Sequence, residues 1–185
     1  MTLFDRLLRR WRIAKAQPYI RRGTRVLDIG CGDEGTLLVL LRSHIAEGVG
    51  IDPSLPNSVE RNGVRLIAGK FPDALPIGVG RFDAITLLAV LEHLPHAEQV
   101  VWAQRCISLL NPGGHVVVTV PSPSADRVLH ALVRWRIMQG TALHEHYGFD
   151  VNTVPVLFSG LNLLAAKKFE WGFNNLFVFQ KPYEG

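Results

Sequence analysis

The chain has 185 residues, of which 48% are hydrophobic and 19% charged, and its formal net charge is +4. A mass of 20.6 kDa fits a single domain, residues 1–185, and a mean hydropathy of +0.16 excludes a disordered or low-complexity protein. No apolar run approaches the roughly 18 residues of a membrane-spanning helix, and the arginine-rich start lacks the apolar core of a secretory signal. The default expectation is therefore a cytoplasmic domain.

The positive charge is concentrated in an N-terminal segment, residues 1–20, which contains an amphipathic helix at 3–16. The apolar positions at helical spacing are Leu3, Phe4, Leu7, Leu8, Trp11 and Ala14, and we expect the arginines on the opposite face. A basic face of this kind suits solvent, nucleic acid or an anionic membrane surface. Because the whole chain is only mildly basic, a nucleic-acid partner is disfavoured. A peripheral membrane contact is possible, but nothing else in the sequence supports it.

After this helix, strand-like and helix-like segments alternate along the chain. The predicted strands are 25–30, 48–53, 64–68, 82–88 and 115–120, and the predicted helices are 36–42, 97–110 and 125–138. The runs 164–170 and 176–180 resemble a terminal hairpin. The strand at 82–88 is apolar on both faces, as in a buried parallel sheet. The alternation predicts an α/β fold with a doubly wound sheet.

A glycine-rich turn follows the first predicted strand, with Gly30, Gly32 and Gly35 where the strand becomes a helix. Glycines there let backbone N–H groups approach a ligand that a Cβ would hold off. Asp52 follows about twenty residues later at the end of the next strand, where a carboxylate accepts hydrogen bonds from both ribose hydroxyls. This order of elements predicts a nucleoside-binding crevice, and the alternative is an ordinary tight turn with a helix-capping aspartate.

The three glycines also satisfy the spacing of the dinucleotide-binding fingerprint, so a nicotinamide- or flavin-dependent oxidoreductase is a second interpretation. Asp28 argues against it, because this residue lies in the first strand only two positions before Gly30. A carboxylate there would repel a pyrophosphate, but it suits a ligand that carries a cationic amino acid group and a sulfonium.

The sequence resembles the class I S-adenosylmethionine-dependent methyltransferases in four motifs that occur in the family's order. They are the glycine motif 26–35, the ribose-binding acid in 50–52, the segment 91–95 after the fourth strand and the turn 110–114 before the fifth. The resemblance implies a Rossmann-like fold with a mostly parallel, seven-stranded sheet and an antiparallel C-terminal hairpin. It also implies S-adenosylmethionine as the cofactor and an N-terminal helix that covers the cofactor crevice.

Similarity to the family also implies roles for individual residues. Asp28 and Gly30 would bind the methionine portion, Asp52 the ribose, and the backbone near Phe71 the adenine. The predicted cofactor-binding set is Asp28, Gly30, Gly32, Asp52, Phe71 and Glu92. Lys70 departs from the family pattern, because an acid usually stands there and accepts a hydrogen bond from the adenine amino group, which a lysine cannot do. The Phe71 ring is expected to stack on the purine.

The candidate general bases lie near the predicted carboxyl ends of the strands, where α/β sheets bind their ligands. His93, after the fourth strand, is the best placed, and its alternative role is a hydrogen bond to the backbone alone. His144 and His146 lie in a polar loop that either faces the substrate or is simply exposed to solvent. No metal site is predicted, because this loop lacks a third ligand at recognisable spacing and Cys31 and Cys106 lack the paired spacing of zinc ligands.

The segment after the fourth strand narrows the classes of molecule that could accept the methyl group. Methyltransferases that act on the exocyclic amines of bases usually carry an Asn/Asp-Pro-Pro-aromatic turn there, whereas residues 88–93 read LAVLEH, so base N-methylation is disfavoured. The pattern looks more like bacterial small-molecule and glycan methyltransferases, with residues 121–163 as an acceptor-side insert. The predicted function is O-methylation of a small-molecule or carbohydrate acceptor. The alternatives are a non-catalytic S-adenosylmethionine-binding module or partner subunit and, less favoured, a nicotinamide-dependent oxidoreductase.

Overall fold

A computed structural model describes residues 3–61, 63–122 and 149–183 of the chain. Within these ranges the helices are α1 (Leu3–Ala16), α2 (Thr36–Leu41), α3 (His96–Leu109) and α4 (Val154–Leu157). The strands are β1 (Arg25–Ile29), β2 (Glu47–Asp52), β3 (Val59–Arg61), β4 (Val64–Ala68), β5 (Phe82–Leu88), β6 (Leu110–Pro121), β7 (Asn162–Phe169) and β8 (Asn174–Gln180). The predicted helix at 125–138 lies outside the described residues. None of the described helices is long and apolar enough to cross a lipid bilayer.

The described strands form one eight-stranded sheet in the order β3-β4-β2-β1-β5-β6-β8-β7. The five strands from β4 to β6 in this order are parallel, and β8 pairs antiparallel with both β6 and β7, so the predicted C-terminal hairpin is confirmed. The sheet has one strand more than the expected seven, because Val59–Arg61 forms an edge strand antiparallel to β4. That run is too short for its periodicity to reveal a strand.

Both faces of the sheet are covered, because successive side chains along each strand point to opposite sides. On one face, Trp102 and Cys106 of α3 belong to the same buried apolar cluster as Leu27 of β1. On the other face, Leu38 of α2 belongs to a second cluster with Val26, the neighbour of Leu27 in the strand. The doubly wound arrangement that the sequence predicts is therefore confirmed.

The inward face of α1 differs from the predicted one. Ile13 and Ala16 are buried, whereas Leu7 is 57% exposed. Arg9 lies three positions before Arg12 and four before Ile13, a spacing that places Arg9 on the same helix face as these two residues. All three residues line the same cavity. The expectation that the arginines lie on the face opposite to the packed one is wrong for these two, because the sheet edge beneath the helix carries carboxylates that a guanidinium complements.

The carboxyl ends of the parallel strands and the last turn of the chain meet at one edge of the sheet. Leu88, at the end of β5, pairs with Thr119 of β6. Pro121, at the end of β6, pairs with Asn174, the first residue of the antiparallel β8. The turn that joins β7 to β8 therefore lies at the edge where open α/β sheets bind their ligands.

Phe179 anchors the C-terminal hairpin in the core, where its ring stacks on those of Phe158 at 5.1 Å and Phe177 at 6.4 Å. We predict that Phe179→Ala lowers the free energy of unfolding by about 3–5 kcal/mol, because it leaves a cavity among buried rings. Urea denaturation measures this loss. The matched control is Ile77→Ala at a fully exposed apolar side chain, which should change stability by less than about 0.5 kcal/mol. Equal stability of the two variants would show that the ring does not anchor the hairpin.

Candidate functional site

The carboxyl ends of β1, β2 and β5 border a cavity of about 240 Å³, and α1 forms its opposite wall. Its lining residues are Arg9, Arg12, Ile13, Asp28, Gly30, Cys31, Gly32, Thr36, Leu37, Asp52, Leu88 and Ala89. Four of the residues that the sequence singled out, Asp28, Gly30, Gly32 and Asp52, thus meet in one place. The helix over the crevice is also where the family resemblance places it.

The glycine turn after β1 has backbone geometry that requires glycine. Gly30 and Gly32 have φ angles of +76° and +69°, in the left-handed region that residues with a Cβ rarely adopt. A Cβ at Gly30 would also overlap the side chain of Val90. The Gly30 N–H donates a hydrogen bond to the carbonyl of Ile51 at 2.9 Å, which fastens the turn to the end of β2. The turn therefore presents bare backbone to the cavity at a fixed position.

Asp52 holds this turn and the following loop together. Its Oδ2 accepts a hydrogen bond of 2.7 Å from the Gly32 N–H. Its Oδ1 accepts bonds from the N–H and the hydroxyl of Ser54 at 2.8 and 2.6 Å. These bonds fix the orientation of a carboxylate at the cavity wall. Because an ionised carboxylate offers about four lone-pair sites, it retains capacity to accept a bond from a ligand hydroxyl.

Asp28 is a buried carboxylate, with only 4% of the residue exposed. The Thr86 hydroxyl donates a hydrogen bond of 2.6 Å to its Oδ1. Burial raises the pKa of Asp28 to about 7, against the lowering effect of the Thr86 bond, and the negative charge of Asp52 raises it further while Arg9 lowers it. A cationic ligand group in this cavity would therefore be bound by a carboxylate that has little water around it.

Arg9 is a functional candidate that the sequence analysis missed. Its Nη1 donates a hydrogen bond of 3.1 Å to the Thr36 hydroxyl at the start of α2. Its guanidinium lies about 3.5 Å from the position a Cβ on Gly32 would take, directly over the glycine turn. The signal in the sequence is the spacing of Arg9 from Ile13, one turn apart on the helix. A guanidinium at this position suits a ligand carboxylate.

Phe71 does not line the cavity. The residue is buried in the core, where its ring meets that of Trp102 edge-on at 5.1 Å. The expectation that this ring stacks on a purine is therefore wrong, because the ring fills the space between β4 and α3. The neighbouring Lys70 is exposed, and its Nζ lies 2.7 Å from Glu98 Oε2. Only the backbone near Phe71 stays a predicted adenine contact.

Of the remaining predicted residues, the structure describes only Glu92 and His93. Glu92 and His93 belong to a short 3₁₀ turn directly after β5, where Glu92 is buried and His93 half-buried, and neither lines the cavity. His144 and His146 lie outside the described residues. Among the residues that the structure does describe, no group of three or more His, Cys, Asp or Glu side chains is suited to holding a metal ion.

A family model for the methyltransferase domain matches residues 3–163 of the chain. Two similar proteins are ubiquinone biosynthesis O-methyltransferases. The one from Vibrio parahaemolyticus is 30% identical over 138 residues, which cover 68% of this chain and 57% of that protein. The one from Dechloromonas aromatica is 35% identical over 120 residues, which cover 60% of this chain and 50% of that protein. The chain thus spans about half the length of these relatives.

Solved structures share the fold at lower sequence identity. The N-methyltransferase NodS from Bradyrhizobium japonicum superposes with a TM-score of 0.68 and 17% identity, over 97% of this chain and 99% of that one. Its complex with S-adenosyl-L-homocysteine gives a TM-score of 0.66 at 17% identity, over 98% and 89% of the two chains. These likenesses extend across nearly the whole chain and show a common fold.

We predict that Asp28→Asn stabilises the folded protein at pH 8. The pKa of Asp28 rises from its ordinary 3.8 to about 7 on folding, so the buried carboxylate lowers stability progressively as pH rises through this interval. Asparagine keeps an acceptor for the Thr86 hydroxyl and removes the charge, which should raise the free energy of unfolding by roughly 1–3 kcal/mol at pH 8. Denaturation at pH 8 and near pH 4 measures the difference, which should shrink at the lower pH. A variant less stable than the wild type at pH 8 contradicts the assignment.

Proposed function

Since the chain belongs to the class I S-adenosylmethionine-dependent methyltransferases, we propose that it transfers a methyl group to a hydroxyl oxygen of a small-molecule or carbohydrate acceptor. The observation that carries this proposal is the meeting of Asp28, Asp52 and Arg9 in one cavity beside the glycine turn. Membership of this family removes the support for a nicotinamide-dependent oxidoreductase, because the glycine spacing alone carried that interpretation.

The charges of the cavity complement those of the methyl donor. Asp28 provides a buried negative charge for the cationic part of the methionine moiety, and Arg9 a positive charge for its carboxylate. We assign a ribose hydroxyl to Asp52, because bonds from Gly32 and Ser54 fix the orientation of its carboxylate at the cavity wall. The adenine would contact the backbone near Phe71, since the ring itself is buried. The fit of two carboxylates and one guanidinium to one ligand supports the assignment of the donor.

Methyl transfer to a hydroxyl needs alignment and one proton acceptor. When bound, S-adenosylmethionine supplies a methyl carbon on a positively charged sulfur, which keeps the electron pair of the broken C–S bond. The acceptor oxygen gains the methyl group and loses its proton to a base of this chain. His93 is the proposed base, because it follows β5 at the carboxyl edge of the sheet. His144 and His146 stay further candidates from the sequence.

Two observations support oxygen as the atom that is methylated. The relatives from Vibrio parahaemolyticus and Dechloromonas aromatica, at 30% and 35% identity, are both O-methyltransferases. The segment 88–93 lacks the Asn/Asp-Pro-Pro-aromatic turn of enzymes that methylate exocyclic amines of bases. A hydroxyl acceptor of modest size is therefore the proposed substrate class, with residues 121–163 contributing to its binding.

We predict that Asp52→Ala and Arg9→Gln each abolish most of the donor affinity. The wild type should gain about 2.7 kcal/mol of stability when S-adenosylhomocysteine is present at a hundred times its Kd, because the ligand binds only the folded state. Thermal unfolding with and without the ligand measures this gain. Each variant removes a charged group that we place against the ligand, so its melting temperature should respond little at the same concentration.

The matched control for the second variant is Arg10→Gln, on the same helix but exposed to solvent. The melting temperature of this control should rise on addition of S-adenosylhomocysteine as much as that of the wild type. The control therefore tests whether loss of any α1 arginine is enough to weaken binding. A wild-type protein that does not respond to either S-adenosylmethionine or its demethylated product refutes the proposed function.

We predict that His93→Gln lowers kcat for O-methylation by about 100-fold, with the donor Kd unchanged, because it removes the proton acceptor but no donor contact. Initial rates on a panel of phenols and sugars, together with calorimetry for the donor, separate these effects. An unchanged kcat would show that a residue other than His93 is the base. Donor binding by the wild type without turnover on any hydroxyl acceptor supports the non-catalytic binding module instead.

A further inference from the structure

Two histidine side chains hold residues 17–20, the α1 joint, at two consecutive carbonyl groups. The His115 Nδ1 lies 2.9 Å from the Tyr19 carbonyl oxygen, and the His44 Nε2 lies 2.9 Å from the Ile20 carbonyl oxygen. Because a carbonyl oxygen only accepts hydrogen bonds, each ring nitrogen is the donor. The joint directly follows α1 and begins with a 3₁₀ turn. The two imidazoles therefore hold the C-terminal end of this helix.

The two histidines approach the α1 joint from different parts of the fold. His115 lies on β6 and is only 7% exposed, and its neighbours across the sheet are Ala84 of β5 and Gln180 of β8. His44 is half-buried and lies between α2 and β2, where its own carbonyl accepts a hydrogen bond of 2.8 Å from the Gly23 N–H. The joint is thus fastened both to the sheet and to the connection that follows α2.

A chain of hydrogen bonds fixes the His115 ring in the state that this contact needs. The Gln180 Nε2 donates to the Gly113 carbonyl at 3.2 Å, which orients the amide, and it also donates to the His115 Nε2 at 3.3 Å. The ring therefore accepts at Nε2 and carries its proton on Nδ1, which faces the Tyr19 carbonyl. Since both ring nitrogens are bonded, the imidazole has a fixed orientation and can determine where the joint lies.

The packing of α1 gives these hydrogen bonds importance. Between residues 6 and 16 the buried side chains are those of Ile13 and Ala16, whereas Leu7 is 57% exposed. A helix of this length depends on tertiary contacts for its stability and its position. Because α1 buries little apolar surface, the bonds at its C-terminal end contribute a large part of those contacts.

Small movements at the α1 joint are amplified at the cavity beside the glycine turn. Arg9 lies about 15 Å along the helix from Tyr19, so a rotation of about 10° at the joint moves the Arg9 backbone by about 2–3 Å. Such a displacement is enough to break the hydrogen bond of 3.1 Å from Arg9 to the Thr36 hydroxyl. The place of the guanidinium over Gly32 therefore depends on how the joint is held.

We infer that His115 and His44 are positioning residues for the binding of the methyl donor, and that they act through Arg9. The inference rests on the proposed function, in which the Arg9 guanidinium binds the carboxylate of the donor. Neither histidine lines the cavity, so neither touches the donor. The two residues control the contact with the amino acid end of the donor and leave the contacts of its adenosine part unchanged.

The test uses calorimetry on the full chain with two probes that differ at this end. S-adenosylhomocysteine carries the amino acid group, whereas 5′-methylthioadenosine has the adenosine and the thioether but no carboxylate. Loss of a positioning residue should weaken binding of the first probe alone. Loss of a residue that only stabilises the fold should affect both probes alike, so the pair of probes separates the two roles.

Matched amide variants keep or displace the donor nitrogen at each histidine. In His115→Asn the amide nitrogen takes the place of Nδ1, and in His44→Gln it takes the place of Nε2, so both variants should bind S-adenosylhomocysteine like the wild type. In His115→Gln and His44→Asn the amide lies at the wrong distance from the backbone. We expect these two variants to raise the Kd for S-adenosylhomocysteine about tenfold, because the charge-assisted bond from Arg9 is weakened.

The Kd for 5′-methylthioadenosine should stay within about twofold of the wild-type value in all four variants, which also shows that they are folded. His96→Gln, at an exposed histidine at the start of α3, is the matched control and should leave both Kd values unchanged.

Amide hydrogen exchange without any ligand gives a second measurement. Exchange in α1 should be about tenfold faster in His115→Gln and His44→Asn than in the wild type, with exchange in α3 unchanged, because only the attachment of α1 is weakened. Asparagine at position 115 and glutamine at position 44 should restore the wild-type rate.

The inference is overturned if His115→Gln and His44→Asn bind S-adenosylhomocysteine as tightly as the wild type. It is also overturned if they lose affinity for both probes by the same factor, or if exchange in α1 does not change. Failure of the proposed function is a different result, in which the wild type binds neither probe, and the inference then fails with it.

Discussion

The site depends on one buried carboxylate, that of Asp28 in the middle of the sheet. The Thr86 hydroxyl holds it at 2.6 Å, and burial raises its pKa to about 7. A charge in this place destabilises the folded chain unless a cation balances it. The guanidinium of Arg9 on α1 provides part of that balance, and a cationic ligand group would provide the rest. The same interaction thus accounts for the inward position of Arg9 and suits a donor that carries a positive charge.

Two parts of the chain that lie far apart in sequence come close at the carboxyl edge of the sheet. Arg12 comes from the N-terminal helix, and Glu170 and Asn174 come from the last hairpin. They meet because β8 runs antiparallel to β6 and so begins at the carboxyl edge of the sheet. The cavity beside the glycine turn, by contrast, is bordered by the ends of adjacent parallel strands. Residues in the turns at this edge can therefore vary while the parallel strands keep their arrangement.

Related proteins share this fold but differ in the reaction that their names give. The family match extends over residues 3–163, and structural neighbours at 17% identity share the fold across nearly the whole chain. The N-methyltransferase NodS and the O-methyltransferase relatives differ in the atom that their names assign to the reaction. A common fold therefore does not specify the acceptor, and the side chains at the edge of the sheet must do so.

The sequence by itself determined the alternation of strands and helices, the glycine turn and its partner Asp52, because periodicity and short spacings are local properties of a chain. It did not reveal the edge strand β3, which is only three residues long, or the core position of Phe71. Only the tertiary structure placed Arg9 over the glycine turn, in hydrogen-bond contact with Thr36. Such contacts join residues that are distant along the chain, and the folding of the sheet and its helices alone decides which of them meet.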